Sequence, residues 1–192
     1  MKIRDIKPTE IEKAAELFAA AYYDDVFFHW CVPRDADRPK VVKDYYTIYL
    51  SSRGAVSHVI ENDQGEIIAA TVWLPHDADE SMYPEIERIA GVNAPQFIAV
   101  AEKSHANEPK NQSFYQLVGF GVKKELQGTG FGKAILGHAL NIFDKQGIPT
   151  YLEASTPFYG GGVYGKFGYT MYSDLMVFTE KAVLYPLYRD AK

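Results

Sequence analysis

The chain has 192 residues, 47% of them hydrophobic, a single cysteine and a formal net charge of −5. That length buries a sizeable core, so one domain spanning 1–192 is expected. The lone Cys31 excludes an intramolecular disulfide framework and a cysteine-rich metal site, and the acidic balance argues against general nucleic-acid binding, which wants a basic footprint. No uninterrupted apolar run approaches the ~18 residues of a membrane span, so no membrane partner is expected. The opening MKIRDIKPTE lacks the apolar stretch of a signal peptide, and a cytoplasmic location is the expectation that follows.

Lys2 to Ile6 alternates polar and apolar residues, as a strand does. Pro8 and Thr9 then turn the chain, with Thr9 as a helix cap and Glu12 placed as in a capping box. Ile11, Ala14, Ala15, Phe18 and Tyr22 form a helical stripe. A second helix is expected from Arg38 to Leu50, with Val41, Val42, Tyr45, Ile48 and Tyr49 inward. Ala55 to Glu61 and Glu66 to Leu74 read as a hairpin around Asn62 to Gly65. Pro75 to Asn111 has helical character, at Tyr83 to Ala90 and Pro95 to Ser104. It is too short for its own core and reads as a helical insertion between the third and fourth strands. Phe114 to Val122 is a strand, Lys133 to Phe143 a helix, and Gly147 and Pro149 stop that helix. Thr150 to Ser155, Thr170 to Thr179 and Lys181 to Tyr188 give three further strands. The expected architecture is α/β, a mixed sheet of about seven strands flanked by helices.

Gln127, Gly128, Thr129, Gly130, Phe131 and Gly132 join the strand at Phe114 to the following helix. Glycines at a helix start let the backbone approach a ligand and leave N–H groups unpaired. With the helix dipole they make a site for phosphate or pyrophosphate. A Walker loop does not fit, because only Thr129, Gly130 and Phe131 separate Gly128 from Gly132 and Ala134 follows Lys133. A dinucleotide fingerprint does not fit either, since its third glycine comes one residue too early. The plain alternative is a glycine-rich turn with no ligand.

The spacing that does fit is Gln-x-x-Gly-x-Gly, at Gln127, Gly130 and Gly132. It resembles the coenzyme A pyrophosphate loop of the GNAT superfamily of N-acetyltransferases. The context agrees: a strand ending in Phe120, Gly121 and Val122 precedes it, and the strand TYLEAS follows. Tyr164, Gly165, Lys166, Phe167, Gly168 and Tyr169 are similar to the family's Tyr-x-x-x-Gly-aromatic signature. The clear resemblance covers roughly residues 114 to 180, with a weaker one reaching the N-terminus. It implies acetyl-CoA as co-substrate, held by the amides of Gln127, Gly128, Thr129, Gly130, Phe131, Gly132 and Lys133. It further implies that the main chain of Phe120, Gly121 and Val122 pairs with the pantetheine arm, and that an N–H of this strand meets the thioester oxygen. Lys133 either adds charge near a phosphate or stands as a solvated first-turn residue. Tyr164 takes the position of the general acid facing the coenzyme sulfur; its plain alternative is a packed tyrosine. The chain departs from the pattern at Phe158 or Tyr159, where relatives often have Asn. It departs again at Gly160, Gly161 and Gly162, an unfavourable helix start.

Acetyl transfer needs a neutral amine, a donor for the developing oxyanion and stabilisation of the departing thiolate. A lysine-like amine, with a pKa of ~10.4, arrives protonated. A carboxylate on a central strand is costly unless paired or used, which makes Glu153 a candidate for base work or acceptor binding. Asp24 and Asp25 follow the first helix, where the family places acceptor-binding residues; they either bind an ammonium or form a polar turn. His29 is a further candidate, although a lone histidine beside aromatics is more often packed. His76 and His105 lack metal-ligand spacing, and no metal is expected. Cys31 is expected to be a packed thiol, so transfer is direct.

The combination of TYLEAS and YGKFGY looks similar to small-molecule acetyltransferases of the puromycin-acetylating type. Tyr22, Tyr23, Phe27, Phe28, Trp30, Tyr45, Tyr46 and Tyr49 either wall a pocket for an aromatic or apolar amine or serve as core. The expected partner is a small-molecule primary amine, with the chain a monomer or homodimer. A peptide or protein N-acetyltransferase and a catalytically silent acyl-CoA-binding protein are the alternatives.

Overall fold

The computed structural model describes residues 2–78, 82–157 and 162–192. Strand β1 (Lys2–Asp5) leads through a short 3-10 turn to α1 (Ile11–Ala21), α2 (Val26–Cys31) and α3 (Arg38–Ser51). The hairpin β2 (Val56–Glu61) and β3 (Ile67–Pro75) is followed by the insertion helices α4 (Met82–Ala90) and α5 (Ala94–Asn107). Then come β4 (Tyr115–Val122), α6 (Phe131–Lys145), β5 (Thr150–Ala154) and α7 (Val163–Phe167). Three last strands, β6 (Thr170–Met171), β7 (Met176–Val177) and β8 (Val183–Arg189), close the chain.

These strands form one mixed sheet in the order β1-β2-β3-β4-β5-β8-β6, with β7 also on β8. Among the described residues only the β4–β5 pair is parallel, and the sheet has eight strands where the sequence suggests about seven. The expected strand from Thr170 to Thr179 breaks into β6 and β7 around Ser173 and Asp174, residues that favour turns. Met171, Tyr172, Leu175 and Val177 are exposed there, so little burial holds a continuous strand.

Two further local differences have simple causes. Thr9 does not cap α1, which has no side-chain cap; the 3-10 turn before it is held instead by Glu10, whose carboxylate accepts the Lys7 N–H at 3.0 Å and the two terminal guanidinium nitrogens of Arg4 at 2.8 Å. Hydrogen bonds from Arg4 hold that carboxyl down at about 2. Helix α2 has no counterpart among the sequence expectations, because VFFHWC is nearly all apolar and carries no period. Asp25 caps it, accepting the N–H groups of Phe27 at 2.9 Å and Phe28 at 3.2 Å.

Helices cover both faces of the sheet. Ala14, Phe18, Val42 and Tyr46 of α1 and α3 pack on Val59, Ala70 and Val72, joined by Ile86 and Phe97 of the insertion. On the other face, Leu136, Leu140 and Phe143 of α6 pack on Trp73, Leu117, Leu152 and Leu187. Strand β3 lies between the layers and is buried from Ile67 through Leu74, which explains its unbroken apolar run. Among the described residues no helix is long and apolar enough to cross a membrane.

Gly119 and Gly121 let α1 and α3 sit close to β4. A Cβ on Gly119 would lie 2.7 Å from Cγ1 of Val72 and 2.8 Å from Cε1 of Tyr46. Val72 is stiff at χ1, and the Tyr46 ring is held at 5.4 Å from that of Tyr22. Gly119→Ala is therefore expected to cost about 1–3 kcal/mol through overpacking. The check is the denaturant midpoint, which should fall; an unchanged midpoint contradicts this packing.

The feature that positions the site is a wedge. Strands β4 and β5 pair only at Tyr115 with Thr150, Gln116 with Tyr151 and Leu117 with Leu152. At Val118, β4 bulges against β3, Gly119 facing Val72 and Leu117 facing Trp73. Beyond it β4 stays with β3, while Glu153 and Ala154 stay with Pro186 and Tyr185 of β8. The two strands part there.

Candidate active site

The glycine loop sits at the open end of the wedge. Gly128 and Gly130 have φ of +78° and +100°, which an L side chain rarely adopts. Nothing lies within 4 Å of where a Cβ would stand at either, so both face open space. Gly130 caps α6, and its carbonyl accepts the Ala134 N–H at 2.9 Å. The N–H groups of Phe131, Gly132 and Lys133 precede that first bond and point out of the helix with its positive dipole end. Gln127 turns inward and donates from Nε2 to the Val122 carbonyl at 3.2 Å, and Thr129 Oγ1 donates to the Leu126 carbonyl at 2.6 Å. The first bond ties the loop to the end of β4, and the second closes the turn on itself. Gly132 lies against Phe120, where a Cβ would be 3.0 Å from Cζ. Lys133 is exposed.

The wedge opens into a cavity of about 770 Å³, which the loop itself does not line; Phe120, packed on Gly132, lies between the two. Its floor is β4 from Gln116 to Phe120 and β5 from Leu152 to Ser155. Phe27, Phe28, Tyr45 and Tyr49 form one wall, and Tyr83, Ile86, Phe97 and Ser104 of the insertion form the other. The insertion is thus part of the site.

Glu153 reaches this cavity from β5. One carboxylate oxygen accepts the Ser104 hydroxyl at 2.7 Å and the other accepts the Tyr151 hydroxyl at 3.0 Å. Burial pushes its pKa up to about 7; the two hydroxyl donors oppose that rise and the nearby Glu108 adds to it. A carboxyl balanced near neutral pH suits a general base.

Tyr164 lines the same cavity from α7, its ring edge-on to Phe120 at 6.2 Å and to Tyr169 at 5.9 Å. Among the described residues its hydroxyl has no hydrogen-bond partner. Burial first, then Tyr22, Tyr169 and Asp25, push the phenol well above its ordinary range, so it stays protonated. Tyr22 does something the sequence does not announce. Its hydroxyl accepts the Phe120 N–H and donates to the Phe120 carbonyl, both at 3.0 Å. The side chain at the end of α1 thereby fills both main-chain positions of Phe120.

Asp25 lines the cavity, but its carboxylate is engaged: one oxygen caps α2 and the other accepts the Ser155 hydroxyl at 2.6 Å. Asp24 and His29, expected to meet the acceptor, do not line the cavity. Asp24 points outward to Lys124 at 2.7 Å, and a ring nitrogen of His29 stands 3.3 Å from the buried guanidinium of Arg38. The departures noted at Phe158, Tyr159, Gly160 and Gly161 lie outside the described residues; Gly162 caps α7 in extended conformation. Among the described residues no cluster of three or more His, Cys, Asp or Glu could hold a metal ion. Sequence reasoning missed Tyr151 and Ser104 as members of the site, and it offered Tyr22 as pocket wall without its bonds to Phe120. The i, i+2 spacing of Tyr151 and Glu153 on one strand face was the available signal for Tyr151; Ser104 and the Tyr22–Phe120 contact are brought in by tertiary packing.

No family model matches the sequence, and no curated protein matches it. Solved structures do match along the full length. The histone acetyltransferase HPA2 and related acetyltransferase of Corynebacterium glutamicum is 15% identical, with a TM-score of 0.73 over 100% of this chain and 96% of that one. Arylalkylamine N-acetyltransferase 2 of Aedes aegypti is 11% identical, with a TM-score of 0.65 over 100% and 99%. The Drosophila melanogaster polyamine N-acetyltransferase is 14% identical, with a TM-score of 0.57 over 98% and 99%. At such identities the likeness establishes the fold.

Proposed function

From a chain folded as the GNAT-superfamily N-acetyltransferases are, we propose an enzyme that moves an acetyl group from acetyl-CoA to a small primary amine. The observation that carries this reading is the wedge. An open, glycine-built helix start lies at its mouth and a carboxyl balanced near pH 7 lies in the cavity behind it.

In this proposal the pyrophosphate rests on the amides from Gln127 to Lys133, and the pantetheine arm runs into the wedge along β4. An arm that pairs with Phe120 displaces the Tyr22 hydroxyl, which holds both groups in this structure. The acceptor ammonium first loses one proton to solvent; the neutral nitrogen then attacks the thioester carbonyl carbon and gives a second proton to Glu153. A β4 N–H holds the resulting oxyanion. The C–S bond then breaks and the electron pair leaves on sulfur, where the Tyr164 hydroxyl donates. A phenol raised this far stabilises a thiolate by hydrogen bonding more readily than by full transfer. Cys31 is fully buried, and burial pushes its thiol far up, so it is no acyl carrier and the transfer is direct.

The aromatic wall supports an acceptor with an aromatic or apolar body whose ammonium faces Glu153. The insertion helices favour a small molecule over a polypeptide laid across the sheet. The residues given roles lie in one chain, so a monomer suffices, with 1–192 as one acetyltransferase domain working in the cytoplasm.

The test is thiol release from acetyl-CoA over a panel of primary amines, small and peptide. Turnover with arylalkyl or alkyl amines is expected. Binding of acetyl-CoA with no turnover on any amine contradicts catalysis, and turnover on peptides alone contradicts the acceptor class. With a working acceptor, Tyr164→Phe is expected to lower kcat about 10²-fold with little change in KM for acetyl-CoA, because only the donor to the departing sulfur is lost. An unchanged kcat where chemistry limits the rate reduces Tyr164 to packing.

A further inference from the structure

The carboxylate of Glu153 receives one hydroxyl on each oxygen, and the two come from different parts of the fold. Tyr151 stands two residues away on the same strand and is fully buried, so its donor is fixed with the sheet. Ser104 belongs to α5, outside the core sheet-and-helix framework. Helix α5 reaches the sheet margin through Lys103, whose ammonium donates to the Val177 carbonyl at 2.7 Å and lies 5.1 Å over the Phe178 ring. One and two turns back, Val100, Ala101 and Phe97 of the same helix line the acceptor wall.

We propose that Ser104 is a positioning residue: it holds the Glu153 carboxylate toward the acceptor nitrogen, so that the insertion helix sets the competence of the base. This rests on the reading of Glu153 as the proton acceptor. The hydroxyl donates only to the charged form with full effect, so removing it favours the neutral acid. Other groups face the same carboxyl. Glu108, just past α5, raises its pKa, although that carboxylate is itself shared with His105 at 3.2 Å and Lys110 at 3.3 Å. Tyr45 and Tyr49 of α3 interact with it and stay neutral, raised chiefly by burial. Asp25, His76 and Tyr164 line the cavity from the segment before α2, from after β3 and from α7. Among the described residues Ser104 is the one donor to the carboxylate carried by the insertion.

The experiment is the pH dependence of kcat/KM for a working amine in the parent, Ser104→Ala, Ser104→Thr and Glu153→Gln. Alanine is the best helix former, so the Ser104→Ala fold is retained. Its acid limb should move up by about one pH unit, a roughly tenfold loss on the acid side that fades at high pH. Ser104→Thr, which keeps the hydroxyl, should restore the parent limb. A Ser104→Ala limb at the parent position overturns the proposal, and so does a loss equal at every pH, which would make Ser104 a piece of acceptor wall. Parent-like rates in Glu153→Gln would instead overturn the base assignment on which it rests.

Discussion

Glu153→Gln is expected to lower kcat/KM for the acceptor amine by about 10³-fold, within the usual range for a general base, and to erase the acid limb of the pH profile. The sign follows from the environment. Burial raises this carboxyl to about 7, so the parent enzyme has a working base above that value and loses it as pH falls through it. The same shift works against stability. The folded pKa lies above the unfolded one, so the stability this group contributes is complete below the ordinary carboxyl range and is lost as pH rises through about 7. Removing the charge should therefore leave the variant at least as resistant to denaturant as the parent at pH 8. An inactive protein that is also unfolded does not count as support; an active, well-folded Gln variant contradicts the role.

Gly130→Asp is expected to weaken acetyl-CoA binding by about 10³-fold. Two effects add. The site requires φ of +100°, and an L side chain in left-handed conformation costs roughly 1–2 kcal/mol, which pulls the loop from its binding shape. The new carboxylate then faces a pyrophosphate at a helix N-terminus, where the dipole favours a single anion. Gly130→Asn separates them, because Asn makes the same backbone demand as Asp without the charge; its loss should be clearly smaller. Calorimetry reads both. Equal affinity for the Asp variant and the parent sinks the loop assignment.

What was legible in the sequence is what local chemistry dictates. Ile135, Leu136, Ala139, Leu140 and Phe143 announce one face of α6, and all five are buried. The glycine loop is legible for the same reason: a positive φ at Gly128 and Gly130 is a demand that glycine meets wherever it stands. Helix α2 is not legible, because six mostly apolar residues show no period and the helix depends on one cap at Asp25. That cap also explains why Asp24 and Asp25 part company. The capping residue turns inward to the Phe27 amide and Ser155, and its neighbour turns out to Lys124. Adjacency in sequence thus placed one carboxylate at the cavity and the other on the surface. Ser104 meets Glu153 across 49 residues, and Tyr22 meets Phe120 across 98. Neither contact leaves a local pattern, since each depends on how a helix lies over the sheet.

The central claim is direct acetyl transfer from the coenzyme to an amine in the wedge. The most direct measurement is mass spectrometry of a reaction holding purified protein, acetyl-CoA and an amine found by the panel. The account predicts one acetylated amine for each thiol released, with the protein unmodified throughout and product formation slowed about 10³-fold by Glu153→Gln. Thiol release without acetylated amine, or an acetylated protein that forms and decays at the turnover rate, would contradict it.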